Sequence, residues 1–336
     1  MSIEFITIII ASLVYYLIYK NKKIICDKLN IFDLPDDKRK IHKEKTPLIG
    51  GILFFSCILI YFFISIYDQK ILIDKLTLCI CGLILIYFII GLLDDSINLG
   101  AYYKLICLFV ATYLILSFEE GLIINKLYFE TNNFEISTGY LNIFFTTLCI
   151  LLLVNALNLA DGINSLAVKI SLVWLLYIKF IISQNHDFSG SALILVLIII
   201  FLNIYKGIFF LGNSGVMLLS VLISTLFIKE YNLAIKYRII YIEEIFILFM
   251  VPGVDMFRLF LQRIKNKKDP FKADTNHLHH FLIKKYNLNK ALLIYFFLMV
   301  VPIILYKFNF INGVLIIFSY IIIYSIIVYK NLRTNK

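Results

Sequence analysis

Apolar residues run along this chain in blocks rather than in alternation. Blocks fall near 3–19, 48–66, 76–93, 104–118, 140–158, 167–183, 190–205, 214–228, 239–254, 291–306 and 312–329. Each lies near the length of about 17–20 residues that carries a helix across a bilayer. Backbone groups in hydrocarbon must be satisfied within the segment, so such blocks read as helices. The pattern predicts an all-α, polytopic integral membrane protein of about eleven transmembrane helices, with residues 1–336 forming a single domain. Two polar stretches, 20–47 and 255–290, are long enough to be substantial loops.

Composition agrees: hydrophobic residues make up 61% of the chain, well above a soluble domain. Lys and Arg divide unevenly between alternate loops. With the N-terminus outside, about three quarters of the 32 basic residues fall on the inner side, as the positive-inside rule requires. The C-terminus is then cytoplasmic and the membrane is the cell's inner, or plasma, membrane. Lys20, Lys22 and Lys23 follow the first block and Glu4 precedes it, which reads as a first span rather than a cleaved leader. The net charge of +10 suits anionic headgroups or a polyanionic substrate. No basic-aromatic module stands apart from the membrane, so nucleic acid is not an expected partner. Without an internal repeat, a transporter reading is weak. The six cysteines show neither a disulfide nor a zinc spacing.

Candidate chemistry sits in five inner loops, near 20–47, 94–103, 155–166, 206–213 and 255–290. The most informative is Ile90-Gly91-Leu92-Leu93-Asp94-Asp95. Carboxylates are expensive beside hydrocarbon. At a helix C-terminus their sign opposes the macrodipole, so the pair points to function, with Mg²⁺ the natural counter-ion in an all-oxygen site. In the first loop Lys38, Arg39, Lys40, His42 and Lys43 can donate to phosphate; Thr46-Pro47 stops an extended segment and Gly50-Gly51 allows close backbone approach. In the third, Asn155, Asn158 and Asp161 share a helix face, and Asp161-Gly162 breaks the helix. In the fourth, after Asn203, the turn Phe210-Leu211-Gly212-Asn213-Ser214-Gly215 opens a helix whose free N–H groups suit phosphate. In the fifth, His277, His279 and His280 lack a partner set for tetrahedral zinc and fit phosphate or sugar contacts with proton transfer.

The ordered motifs Arg39-Lys-x-His42, Thr46-Pro47, Gly50-Gly51, Asp94-Asp95, Asn155…Asn158…Asp161-Gly162, Phe210-Leu-Gly212-Asn213-Ser-Gly215 and His277-Leu-His279-His280 resemble, over 33–282, the polyprenyl-phosphate N-acetylhexosamine-1-phosphate transferases. These belong to glycosyltransferase family 4 and are related to the phospho-N-acetylmuramoyl-pentapeptide transferase. The resemblance implies transfer of N-acetylhexosamine-1-phosphate from a UDP-sugar to undecaprenyl or another polyprenyl phosphate, with release of UMP and Mg²⁺ (or Mn²⁺) as cofactor. It implies catalytic roles for Asp94, Asp95 and His279. Metal contacts would come from Asp94, Asp95 and Asn213. Substrate contacts would come from Asp161, Asn158, Asn164, Asn203, Phe210, Arg39, Lys40, His42, His277 and His280. A homodimer is a further implication. The loop types favour a small UDP-N-acetylhexosamine over a UDP-muramoyl-pentapeptide. Two departures stand out: Asn213 replaces a family aspartate that binds magnesium, and Asn164-Ser165 stands where many members carry Asp-Gly. The alternative is therefore a weakened or inactive relative that binds lipid or nucleotide sugar as a scaffold.

Overall fold

The computed structural model describes residues 3–35, 44–69, 71–161, 165–182, 191–234, 240–271 and 276–334. The helices are α1 (Ile3–Lys20), α2 (Lys22–Leu29), α3 (Gly50–Tyr67), α4 (Lys75–Ile97), α5 (Ala101–Leu116), α6 (Asn142–Ala160), α7 (Leu166–Tyr177), α8 (Ser191–Tyr205), α9 (Gly212–Ala234), α10 (Ile242–Lys265), α11 (Leu278–Lys285), α12 (Leu288–Lys307) and α13 (Gly313–Thr334). Every apolar block coincides with one of them. α2 and α11 are the short helices lying outside those blocks, in the polar stretches.

Five helical segments are long and apolar enough to cross a membrane alone: Gly50–Tyr67, Lys75–Ile97, Gly139–Ala160, Gly212–Leu233 and Leu288–Lys307. The pair α1–α2, bent by 66°, makes a sixth if it counts as one span. α5, α8 and α13 are apolar but shorter over their described residues. α7 gives way to a π turn at Ile178–Ile182, and α10 carries acids near its start and bases near its end. By length and composition five or six spans pass among the described residues, which does not confirm the expected eleven. Block-counting cannot separate a full crossing from a short apolar helix packed within protein.

α9 is the centre of the bundle, with α3, α4, α6 and α7 packed around it. Its Ser220, Ser224 and Thr225 are buried and return their hydroxyls to carbonyls one turn back, so they add no unmatched donor to an apolar core. Small residues set the closest approaches. A Cβ on Gly91 of α4 would lie 2.5 Å from Ser214 Cα, and one on Gly50 of α3 would lie 2.8 Å from Leu211 Cα. Small contact residues of this kind let membrane helices pack at backbone distance.

Two short ribbons depart from the all-α expectation. β1 (Phe32–Asp33) pairs antiparallel with β2 (Thr46–Pro47), Asp33 opposite Thr46. β3 (Lys126–Phe129) pairs with β4 (Phe134–Ser137) in a hairpin. Strands of two and four residues are too short to leave a periodic signal. α9 and α10 run antiparallel. The hairpin joins the end of α9, where Tyr231 holds the backbone of Tyr128, and the start of α10, where Glu243 holds Glu130 and Thr131. The bundle therefore has a hairpin end and, opposite it, an end formed by the last turns of α4, α6 and α10 and the first turn of α9.

Candidate active site

Asp94 and Asp95 occupy the last turn of α4, and Asn98 closes that helix in the left-handed region (φ 58°), its N–H bonded to the Asp94 carbonyl. The unfavourable sign of two acids there is answered from outside the helix. Asp95 turns to the mouth of α9 and accepts the N–H groups of Asn213 at 2.7 Å and Ser214 at 3.0 Å, one on each carboxylate oxygen. These are first-turn donors that have no partner within their own helix. The positive end of α9 thus meets the carboxylate that the negative end of α4 repels. Gly212 makes room: its φ is +77°, and a Cβ there would lie 2.7 Å from Asp95 Oδ2. Asp94 is buried and pairs with Lys104 of α5 at 2.8 Å. The expectation that the α9 N–H groups lie free for phosphate is thereby corrected for Asn213 and Ser214, whose amides Asp95 already holds.

Pro47–Gly51 threads beside this mouth. Pro47 O accepts the Phe210 N–H at 2.9 Å, and Gly50 and Gly51 donate to the carbonyls of Phe210 and Leu211. The Phe210 backbone is therefore fixed, with its ring half-buried. Asp161 terminates α6 as its C-cap, its backbone N–H donating to the carbonyls of Leu157 and Asn158; Gly162 lies outside the described residues. Its carboxyl lies near those of Asp95 and Asp33; burial first, then these two charges, hold it well above the ordinary carboxylate range. Asn158, one turn back, is half-buried. Asn203 of α8 directs its amide nitrogen to the Tyr15 hydroxyl at 3.0 Å and to Ile199 O at 2.8 Å, tying α8 to α1. Arg39, Lys40, His42 and Asn164 lie outside the described residues.

The histidines form a second group at the same end. His277 and His279 stack with ring centroids 5.2 Å apart and planes 2° apart, and His279 and His280 are 4.4 Å apart. His277 and His279 are buried. Burial, then His280 and His277, hold the His279 imidazole well below its ordinary value, with Asp255 opposing; its Nε2 is buried without a partner. Tyr102, at the start of α5, donates to Asp269 and packs edge-on to Phe271, linking the long loop to α5.

Sequence reasoning missed Asp255, Arg258, Lys104 and Asp33 as site residues. The signal for Asp255 and Arg258 was present: an acid and a base three apart in a largely apolar helix. Among the described residues no set of three His, Cys, Asp or Glu side chains is arranged to hold a metal ion. Mg²⁺ ordinarily takes only one or two carboxylates, with substrate phosphates and waters completing its shell. Asp94 and Asp95 supply that number, Asn213 adds an amide oxygen, and the crowding of Asp161, Asp95 and Asp33 is one that a cation relieves. The donor chemistry therefore fits a hard divalent ion.

Residues 77–230, which contain Asp94, Asp95, Asp161 and Asn213, match the model of glycosyl transferase family 4. The chain is 29% identical over 163 residues to a probable undecaprenyl-phosphate N-acetylglucosaminyl 1-phosphate transferase of Bacillus subtilis, covering 46% of this chain and 44% of that one. It is 31% identical over 144 residues to an undecaprenyl-phosphate alpha-N-acetylglucosaminyl 1-phosphate transferase of Thermotoga maritima, covering 42% and 43% respectively. The chain thus spans less than half the length of the curated relatives it matches. The aspartates and the mouth of α9 fall inside the family 4 segment; the histidine group falls beyond it.

Proposed function

We propose that the protein transfers N-acetylhexosamine-1-phosphate from a UDP-sugar to undecaprenyl or another polyprenyl phosphate and releases UMP. The observation that carries this reading is the pairing of Asp94 and Asp95 with the mouth of α9, inside the segment that matches family 4. Phosphoryl transfer asks the protein mainly for positioning and charge neutralisation. Asp94 is placed to orient the lipid phosphate, with Lys104 holding its carboxylate in one direction. Asp95 keeps the α4–α9 junction rigid, so that the Asn213 side chain is presented at a fixed point. Asp161, Asn158 and Phe210 border the uridine, and the histidines face the pyrophosphate and sugar. Asp94, Asp95 and Asn213 are the residues that would hold Mg²⁺, which would supply charge compensation to the phosphates. The apolar outer faces of the helices give the lipid chain its surroundings.

Purified protein given undecaprenyl phosphate and a panel of UDP-sugars should release UMP, and the mass of the lipid product identifies the sugar. No product at any Mg²⁺ concentration would remove the reading. The scaffold alternative rests on Asn213, which keeps an oxygen but lacks the charge of a carboxylate. Asn213→Asp should lower the Mg²⁺ concentration for half-maximal rate by about threefold or more, since carboxylates bind hard cations better than amides; an unchanged requirement would place the metal elsewhere.

A further inference from the structure

The histidine segment is not held by its own helix. Its N-terminal approach is fixed by Asp255, a buried acid in α10. Asp255 Oδ1 accepts from Leu278 N at 3.1 Å, from Arg258 Nη2 at 3.0 Å and from the Tyr324 hydroxyl at 2.6 Å; Oδ2 meets His277 Nδ1 at 3.0 Å. Arg258 extends the frame. Its Nε donates to the Tyr324 hydroxyl at 2.6 Å and its Nη2 to Asn276 O at 2.5 Å. One carboxylate therefore grips the backbone at the first residue of α11, the ring at its N-cap and the hydroxyl of a residue in α13, the last helix of the chain.

This density of contacts exceeds what closing a short helix requires. α11 has eight residues, and its N-cap His277 makes no capping bond through its side chain. The ring of His277 is instead turned to Asp255, which fixes the proton on Nδ1 and the plane of the imidazole. That plane lies parallel to His279, whose Nε2 is buried and unmatched. An unmatched buried nitrogen costs about 1–3 kcal/mol unless something binds it, so the stack reads as a prepared surface with one position left for a ligand.

We infer that Asp255 is a positioning residue of the transfer reaction: with Arg258 and Tyr324 it clamps the backbone and ring of His277, and through the stack it sets where His279 presents its free nitrogen. The C-terminal helix α13 is by this route part of the active-site frame, although it lies well beyond the family 4 segment. The groups facing the clamp are Asp255 and Arg258 from α10, His279 and His280 from α11, Tyr295 from α12, and Tyr320 and Tyr324 from α13. The clamp rests on the proposed function for its catalytic consequence and on geometry alone for its existence.

The test uses the full chain in detergent with two independent readouts. The first is UMP release, giving kcat and KM. The second is carbethoxylation of His277 and His279 by diethylpyrocarbonate, mapped by peptide mass. Asp255→Asn should lower kcat about tenfold or more while KM for the UDP-sugar moves less than about threefold, and should speed labelling of His277. Asp255→Glu should recover part of both. Tyr324→Phe, which deletes a single hydroxyl and keeps the fold, should move both readouts the same way by a smaller factor, and it carries the test if Asp255→Asn does not fold. Unchanged labelling and unchanged kcat in Asp255→Asn, or a silent Tyr324→Phe beside an unfolded Asp255→Asn, overturns the inference. If the wild type releases no UMP, the function falls while the labelling comparison still decides the clamp.

Discussion

The two ends of the bundle treat buried polar groups in opposite ways. At the hairpin end every buried acid is matched. Glu243 accepts the N–H groups of Glu130 and Thr131; Glu244 accepts the Tyr177 hydroxyl at 2.6 Å and Lys307 at 2.8 Å. The Tyr231 hydroxyl and the Asn232 amide satisfy backbone carbonyls there. At the aspartate end the accounting stays open. Ser165 Oγ and His279 Nε2 are buried without partners, and Asp161 crowds against two other carboxylates. Both ends hold buried charge at the rim of an apolar bundle, so charge alone does not mark a site. What separates them is whether the protein itself completes the bonds. A finished network holds elements together; an unfinished one waits for a ligand.

That contrast can be broken most directly by paired substitutions. Asp94→Asn should cut UMP release by about a hundredfold or more, as loss of a group that positions charge in the transition state does, and because it also takes the charge from the buried pair with Lys104, about 2 kcal/mol of stability should go as well. If activity survives, the aspartate end is not the site. Glu244→Gln should share the loss of stability and spare the activity. It removes the charge from a buried pair whose lysine is partly exposed, and about 2 kcal/mol of stability should go with it, while kcat stays within about twofold of wild type. A large loss of kcat at unchanged stability would erase the distinction between the ends.

A subtler difference concerns pH. The folded state holds His279 neutral below its ordinary value. An unfolded chain takes up that proton from about pH 6.5 downward, so the unfolded state binds more protons there and stability falls as pH drops below that point. Melting in detergent at pH 5 and pH 7.5 should show the loss, and His279→Gln should flatten it. An identical slope in the variant would assign the dependence to other groups. The smallest expected effect lies away from both networks. Asp74 caps α4 by accepting the Thr77 N–H at 2.8 Å, and Asp74→Ala should cost about 1 kcal/mol without touching kcat. A change in kcat would mean that the far end of α4 communicates with Asp94.

Much of the architecture was legible because its causes are local. Each apolar block became a helix because hydrocarbon leaves the backbone no other partner. Asp161 ended α6, and Gly50-Gly51 allowed close approach, for reasons carried by those residues alone. The number of spans was less legible, since block length does not tell whether a short helix meets lipid on both sides. The hairpin was missed because four-residue strands leave no period. Asp94 and Asp95 were legible as an anomaly, two acids at the wrong end of a helix.

The resolution of that anomaly was not in the pattern. Asp95 is answered by Asn213 and Ser214, 118 and 119 positions away, and His277 by Asp255 on another helix. Sequence alone determined which segments leave water and which residues are too costly to sit there without a purpose, because both follow from transfer energies of single side chains. Tertiary structure decided which of those costs the protein settles internally and which it leaves for a ligand, because hydrogen bonds depend on distances of about 3 Å between groups that only packing brings together.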